Sequence, residues 1–242
     1  MFGFEAINDG SSVLVSNNHR HLSFKERLSV TVTNTVVDRP STGSASFSSP
    51  VTTQAPPTIF ARLKSTRHSS IEMYCVVLGS PGNWTGVRFY ASAYGGSTLP
   101  LYVLDCVVCH FITADTSEDF GMVLYDEEGV PVFCHDNKLV KYSKFTKKWT
   151  LQKTSSAYSY YTFRPDVTIA TDDYMDVSSL NRGVVMQFVY GMMFSSVRIY
   201  RDNAPTLELV AQANSNTSNP QGVSEMNFCI PVCKFPESVY HN

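Results

Sequence analysis

The chain has 242 residues, 43% of them hydrophobic and 17% charged, with 13 Tyr and 15 Phe. That is enough to bury a core without disulfide or metal staples, in one large β domain or two small ones. A formal net charge of −2 and a pI near 6.3 provide no basic field to gather nucleic acid or anionic lipid, so neither is expected as a partner. No apolar run approaches the roughly 18 residues that would suggest a membrane span, and MFGFEAINDG lacks the basic and apolar regions of a signal peptide. The expectation is therefore no membrane insertion and folding in a cytoplasm. On that footing the six cysteines are expected to be small buried hydrophobes kept reduced.

In chain order, the first element is a hairpin. A short strand from Phe4 to Ile7 leads into Asn8-Asp9-Gly10, and a second strand runs from Val13 to Val15; the glycine supplies the positive φ of a tight turn. His19-Arg20-His21 follows as a solvated hairpin exit. Leu28, Val30 and Val32 then alternate with Ser29, Thr31 and Thr33, the period of a half-buried strand. Residues 40–57 (PSTGSASFSSPVTTQAPP) are rich in Ser, Thr and Pro. Such a stretch buries too little apolar area to offset its ordering entropy, and a long surface loop is expected.

Strand patterns recur at 58–64, 71–78, 86–91 and 100–112, punctuated by Gly79 to Gly82 and by Gly95-Gly96. The polar run TADTSED at 113–119 marks an expected boundary between an N-terminal β domain, 1–115, and a C-terminal one, 116–242. The second half opens on another hairpin, with strands from Met122 to Tyr125 and Val130 to Phe133 about Asp126-Glu127-Glu128-Gly129. Both hairpins begin with Phe-Gly, and the stretches 2–24 and 120–142 read as an internal repeat. Beyond it, Tyr158, Tyr160, Tyr161 and Phe163 alternate along one strand. Tyr158 and Tyr160 share one face, Tyr161 and Phe163 the other; one face is core and the other is the candidate contact surface. Residues 172–181 suggest one short helical turn, and strands at 182–190 and 195–200 complete the set. The fold class is all-β: antiparallel, sandwich-like domains, two in number, each opening with a similar hairpin.

This layout resembles a family of proteins encoded in the tail gene clusters of tailed bacteriophages. The resemblance rests on Gly3-Phe4-Glu5-Ala6-Ile7-Asn8-Asp9-Gly10 and on Gly121 to Phe133, GMVLYDEEGVPVF, in their order, spacing and position over about the first 145 residues. The residue after the second Phe is often Asp in such proteins; here it is Cys134, and no role is carried over to it. The resemblance implies a virion protein assembled in the host bacterial cytoplasm, a tail-tip or tail-fibre-associated structural subunit or adaptor. It implies partners among other tail proteins and no catalytic residue. Low charge content and repeated use in a particle agree with homo-oligomerisation. Two alternatives stand beside it, a carbohydrate-binding receptor protein that grips a host surface glycan, and a capsid decoration or collar protein.

Three constellations raise the question of chemistry. Cys106-Val107-Val108-Cys109-His110 fits the c-type haem pattern. On a strand, though, positions three apart face opposite ways, so the sulfurs would not share one porphyrin. Cys134, His135, Cys229 and Cys233 add soft ligands, but no knuckle turn pairs them, and positions 229 and 233 lie about 13 Å apart on a strand. Asp172-Asp173 and Glu127-Glu128 are adjacent and so diverge, unlike paired catalytic carboxylates. No catalytic residue, cofactor or metal is expected, and the chain is read as a non-enzyme.

Overall fold

The computed structural model describes residues 3–8, 11–16, 19–33, 41–65, 70–93, 101–111, 121–155, 160–178, 186–188, 191–200, 207–212, 225–226 and 229–242. Every strand pairing among them is antiparallel and no helix is present. The chain is all-β, as its period-two patterning indicates.

Two hairpins form small sheets of their own. The first joins β1 (Gly3–Asn8) to β2 (Ser11–Ser16), and the second joins β9 (Val123–Tyr125) to β10 (Pro131–Cys134). In the second turn Gly129 has φ +78, and the Asp126 carboxylate accepts the backbone N–H groups of Glu128 and Val130 at 3.1 and 2.7 Å. The segments that follow the two hairpins meet: Ser23 bridges Leu139, Phe24 N–H donates to the Lys138 carbonyl and Val140 N–H to that of Leu22.

The remaining strands make two sheets. Six of them run in the order β11 (Tyr142–Phe145), β19 (Pro231–Lys234), β14 (Asp173–Asp176), β5 (Thr58–Ser65), β8 (Tyr102–Phe111) and β3 (Leu22–Val32). The Ser23–Leu139 bridge brings the free side of β3 back to the residues just before β11, so this sheet closes on itself at one end. The second sheet runs β18 (Glu225–Met226), β12 (Trp149–Ser155), β13 (Tyr160–Pro165), β17 (Leu207–Gln212), β16 (Gly191–Tyr200), β6 (Ser70–Ser80), β7 (Asn83–Ala93) and β4 (Ser41–Val51), with β15 (Met186–Phe188) on β16.

Alternation along each strand builds two cores. Val30, Ile59, Leu104, Cys106, Val108 and Val232 from the six-stranded sheet meet Met73, Cys75, Val87, Phe89 and Trp149 from the other, which is sandwich packing. The opposite face of the six-stranded sheet, with Phe24, Phe60, Val107, Cys109 and Tyr174, is filled by Phe235 and Tyr240 of the segment after β19.

Three expectations are corrected here. The boundary at 113–119 does not separate two domains, because β14 pairs with β5 and β16 with β6, and the sandwich core draws on both halves. Among the described residues, strands of each half help complete the apolar face of the other. Residues 40–57 are not one long loop, since 41–51 form β4, an edge strand. Its ordering is offset by backbone pairing to β7, by Phe47 and Val51 in the core, and by Glu26. Where pairing lapses between Ser46 and Val51, both Glu26 oxygens accept the Ser48 N–H, at 3.1 and 3.0 Å. Pro50 falls in this unpaired interval, where no ladder hydrogen bond is lost. Finally, of the expected helical turn at 172–181, the described residues 172–178 show none. Asp173 to Asp176 lie between β19 and β5 with all four residues buried, and a strand covered on both faces shows no alternation.

Candidate functional site

Of the tyrosine strand singled out from sequence, Tyr158 lies outside the described residues. Tyr160 and Tyr161 sit on β13 opposite Ser155 and Thr154 of β12 and opposite Gln212 and Ala211 of β17. Phe163 is 3% exposed and belongs to the sandwich core, while the side chains of Tyr160 and Tyr161 lie outside what the structure describes.

The Cys-x-x-Cys-His run lies on β8. Cys106 faces the sandwich core and Cys109 the core filled by Phe235. The two sulfurs are thus on opposite sides of one sheet and cannot bind one cofactor together. All six cysteines are free. Burial pushes the Cys75, Cys106 and Cys109 thiols up, and that of Cys233 to about 12. Cys229, however, is exposed, which corrects the expectation that every cysteine is buried. Its thiol lies one residue before the point where the chain enters the core at Ile230. Native protein treated with iodoacetamide is expected to be alkylated at Cys229, and the five buried thiols only after unfolding. Peptide mass mapping reads this directly; rapid labelling of Cys106 or Cys109 in the native state would contradict the packing described.

The adjacent acids separate as expected of neighbours. Asp172 is exposed and held by Lys234 at 2.5 Å, while Asp173 is buried, bonded to Lys144 at 2.6 Å and to the Ala170 N–H at 2.7 Å. Among the described residues no group of three or more His, Cys, Asp or Glu gathers as metal ligands.

A buried polar cluster that the sequence did not reveal lies behind β8. Asp105 is 4% exposed. It accepts Arg27 Nη1 at 3.0 Å, Arg62 Nη2 at 2.8 Å and the Tyr174 hydroxyl at 2.6 Å. Arg62 also stacks over the Tyr174 ring, 4.7 Å from its centroid, and Arg27 donates to the Tyr174 oxygen. Burial, and then the bond to Asp105, raise the Tyr174 hydroxyl well above its ordinary value, so it stays a proton donor. From the same guanidinium, Arg27 Nη2 holds the Phe235 and Tyr240 carbonyls at 2.7 and 3.3 Å. The cluster ties four strands, β3, β5, β8 and β14, to the segment that fills the core. Every oxygen of Asp105 is occupied, so its role is structural.

His19 and Arg20 are exposed as expected, but His21 is partly covered, and burial and then His19 lower its pKa from 6.5. His110, at the end of β8, is lowered from 6.5 by burial and then by Lys25. Both imidazoles therefore stay neutral in the fold while an unfolded chain takes up protons near 6.5. The unfolded state binds more protons below that point, and stability is lost as pH falls through it. A melting series from pH 7.5 to 5 should show Tm falling on the acid side, with a shallower slope in His110→Gln; an unchanged slope would exclude His110 as a source.

Two aromatic groups reach the surface, the first exposed and the second half-buried. On the second hairpin and β11, Met122, Tyr125, Tyr142 and Phe145 are solvent-facing, with the last two rings 5.2 Å apart. On the outer face of the larger sheet, Tyr74 of β6 and Tyr90 of β7 stand directly opposite, rings parallel within 11° and 4.9 Å apart. Sequence reasoning missed this pair because its register depends on a bulge. Counting back from the Ser80–Asn83 turn puts Tyr74 opposite Phe89. The irregularity between Leu78 and Gly79 shifts the ladder by one, Thr85 being the residue left over. Gly79 permits it, with φ +116 and the Asn83 carbonyl 2.2 Å from where a Cβ would sit. A glycine at that place beside a turn was the available signal. Compared with known proteins, the chain matches no family model, no curated protein and no solved structure.

Proposed function

We propose that this chain is a structural subunit of a tailed-phage particle, a tail-tip or fibre-associated component that works through surfaces and performs no catalysis. The observation that supports it best is the pair of Phe-Gly hairpins, each a small sheet apart from the two large ones. The second leaves Met122 and Tyr125 to solvent, and the edge strand β11 adds Tyr142 and Phe145. Exposed aromatic and Met side chains on an otherwise well-packed fold suit contact with other virion proteins and with further copies of the chain. A glycan-binding receptor protein is the second reading, favoured by the stacked Tyr74 and Tyr90. Gold-labelled antibody against the chain, viewed on intact particles by negative-stain electron microscopy, tests the position. Label at the distal tail supports the tail-tip reading; label on head or neck overturns it in favour of a decoration or collar protein, and no label on any particle overturns the virion reading altogether.

A further inference from the structure

On the outer face of the larger sheet, Tyr90 stands between a second ring and two small residues of the neighbouring strand. Residues directly opposite on neighbouring strands stand side by side, so two parallel rings 4.9 Å apart cover each other's facing sides. The other side of the Tyr90 ring then looks toward β4, where its partner in register is Thr42. β4 ends the sheet and is bridged at Thr42 to Thr33, the residue after β3, which is exposed and equally small, and its outward residues at this end, Thr42 and Ser44, are small, hydroxylated and exposed. Nothing of comparable height stands on that strand to cover the ring. Arg88 lies two residues before Tyr90 on the same face, about 7 Å along the strand, opposite Ser44. It is exposed and has no ionic partner among the described residues. An aromatic wall, a hydroxyl floor and an exposed guanidinium thus share one shelf.

We propose that this shelf binds a carboxylated sugar of a surface glycan. One pyranose stacks its C–H face on the open side of Tyr90, Thr42 and Ser44 exchange hydrogen bonds with its hydroxyls, and Arg88 takes the carboxylate through its planar fork. Tyr74 braces the ring from behind, which keeps Tyr90 upright without the ligand and lowers the ordering cost of binding. The charge of Arg88 sets the ligand class: neutral sugars satisfy the ring and the hydroxyls but leave the guanidinium unused. The proposal deepens the glycan reading and locates it; it does not depend on where in a particle the chain sits, so gold labelling and glycan binding fail independently.

Isothermal titration of the full chain decides the matter, with trigalacturonate, a chondroitin tetrasaccharide and sialyllactose as acidic probes and maltotriose and lactose as neutral ones. Saturable binding of at least one acidic probe is expected, at least about tenfold tighter than either neutral probe. Tyr90→Ala should weaken it about tenfold, and Arg88→Gln should erase the preference for acidic over neutral sugars. Ser44→Trp adds bulk at an exposed edge position and should block the shelf while leaving Tm unchanged, which keeps the test informative even where Tyr90→Ala unfolds. No binding by any acidic probe overturns the proposal, as does binding that Arg88→Gln and Ser44→Trp leave intact.

Discussion

Replacing Asp105 with alanine is expected to lower the unfolding free energy by about 3–5 kcal/mol, the cost typical of breaking a buried ion pair from one side. The substitution strands Arg27 and Arg62, which lose their only carboxylate in the cluster, and it removes the acceptor of the Tyr174 hydroxyl. Arg62→Met should cost much less: its side chain is 28% exposed, and Asp105 keeps Arg27 and Tyr174. Urea titration reads both, as a shift in midpoint at constant m. A loss under about 1 kcal/mol for Asp105→Ala would mean that water replaces the carboxylate and that the site is not the closed cluster described.

Phe235→Ala is expected to cost a similar amount, about 3–5 kcal/mol, for a different reason. The Phe235 ring is 3% exposed and touches Phe60, Tyr174 and Tyr240 at centroid distances of 5.2, 5.4 and 5.1 Å. Its removal leaves a cavity that β strands on several sides cannot close. Phe235→Leu keeps most of the volume and should lose less than about 1.5 kcal/mol. Because Arg27 holds both the Asp105 carboxylate and the Phe235 carbonyl, the two alanine variants share a partner, and their combined cost should depart from the sum. Strict additivity would show that the charge cluster and the aromatic plug are independent.

Much of the fold was legible because most strands are half-buried. β5, β6, β7 and β8 lie within a few residues of the period-two runs at 58–64, 71–78, 86–91 and 100–112, and both hairpins stand where Gly-closed turns put them. What escaped has physical causes. β4 carries Ser and Thr because it is a terminal strand held largely by backbone bonds, to which composition is blind, and its carboxylate partner, Glu26, comes from the preceding strand β3, whose approach the pattern of β4 does not show. β14 hides Asp173 and Asp176 in the interior; the first is matched by Lys144 from β11, the second by Ser178, so acidic residues that read as a turn are strand. The single-body architecture was illegible because strand partners far apart in sequence leave no trace in composition. Asp105 reads as an interruption in an apolar run until Arg27 and Arg62 arrive beside it.

The interleaving of the two halves also governs how the protein can be made. β5 waits for β14, and Arg27 waits for Asn242, 215 residues later, whose side chain pairs with its backbone N–H and carbonyl. A growing chain emerging at ordinary synthesis rates must therefore hold the edges and apolar faces of its first strands open for on the order of ten seconds before their partners exist. Folding dominated by such distant pairings is slow, and the first half synthesised alone would offer those edges to other chains. The arrangement that makes the finished molecule one body thus makes its nascent form dependent on chaperones or on prompt completion, and shortened versions prone to aggregate.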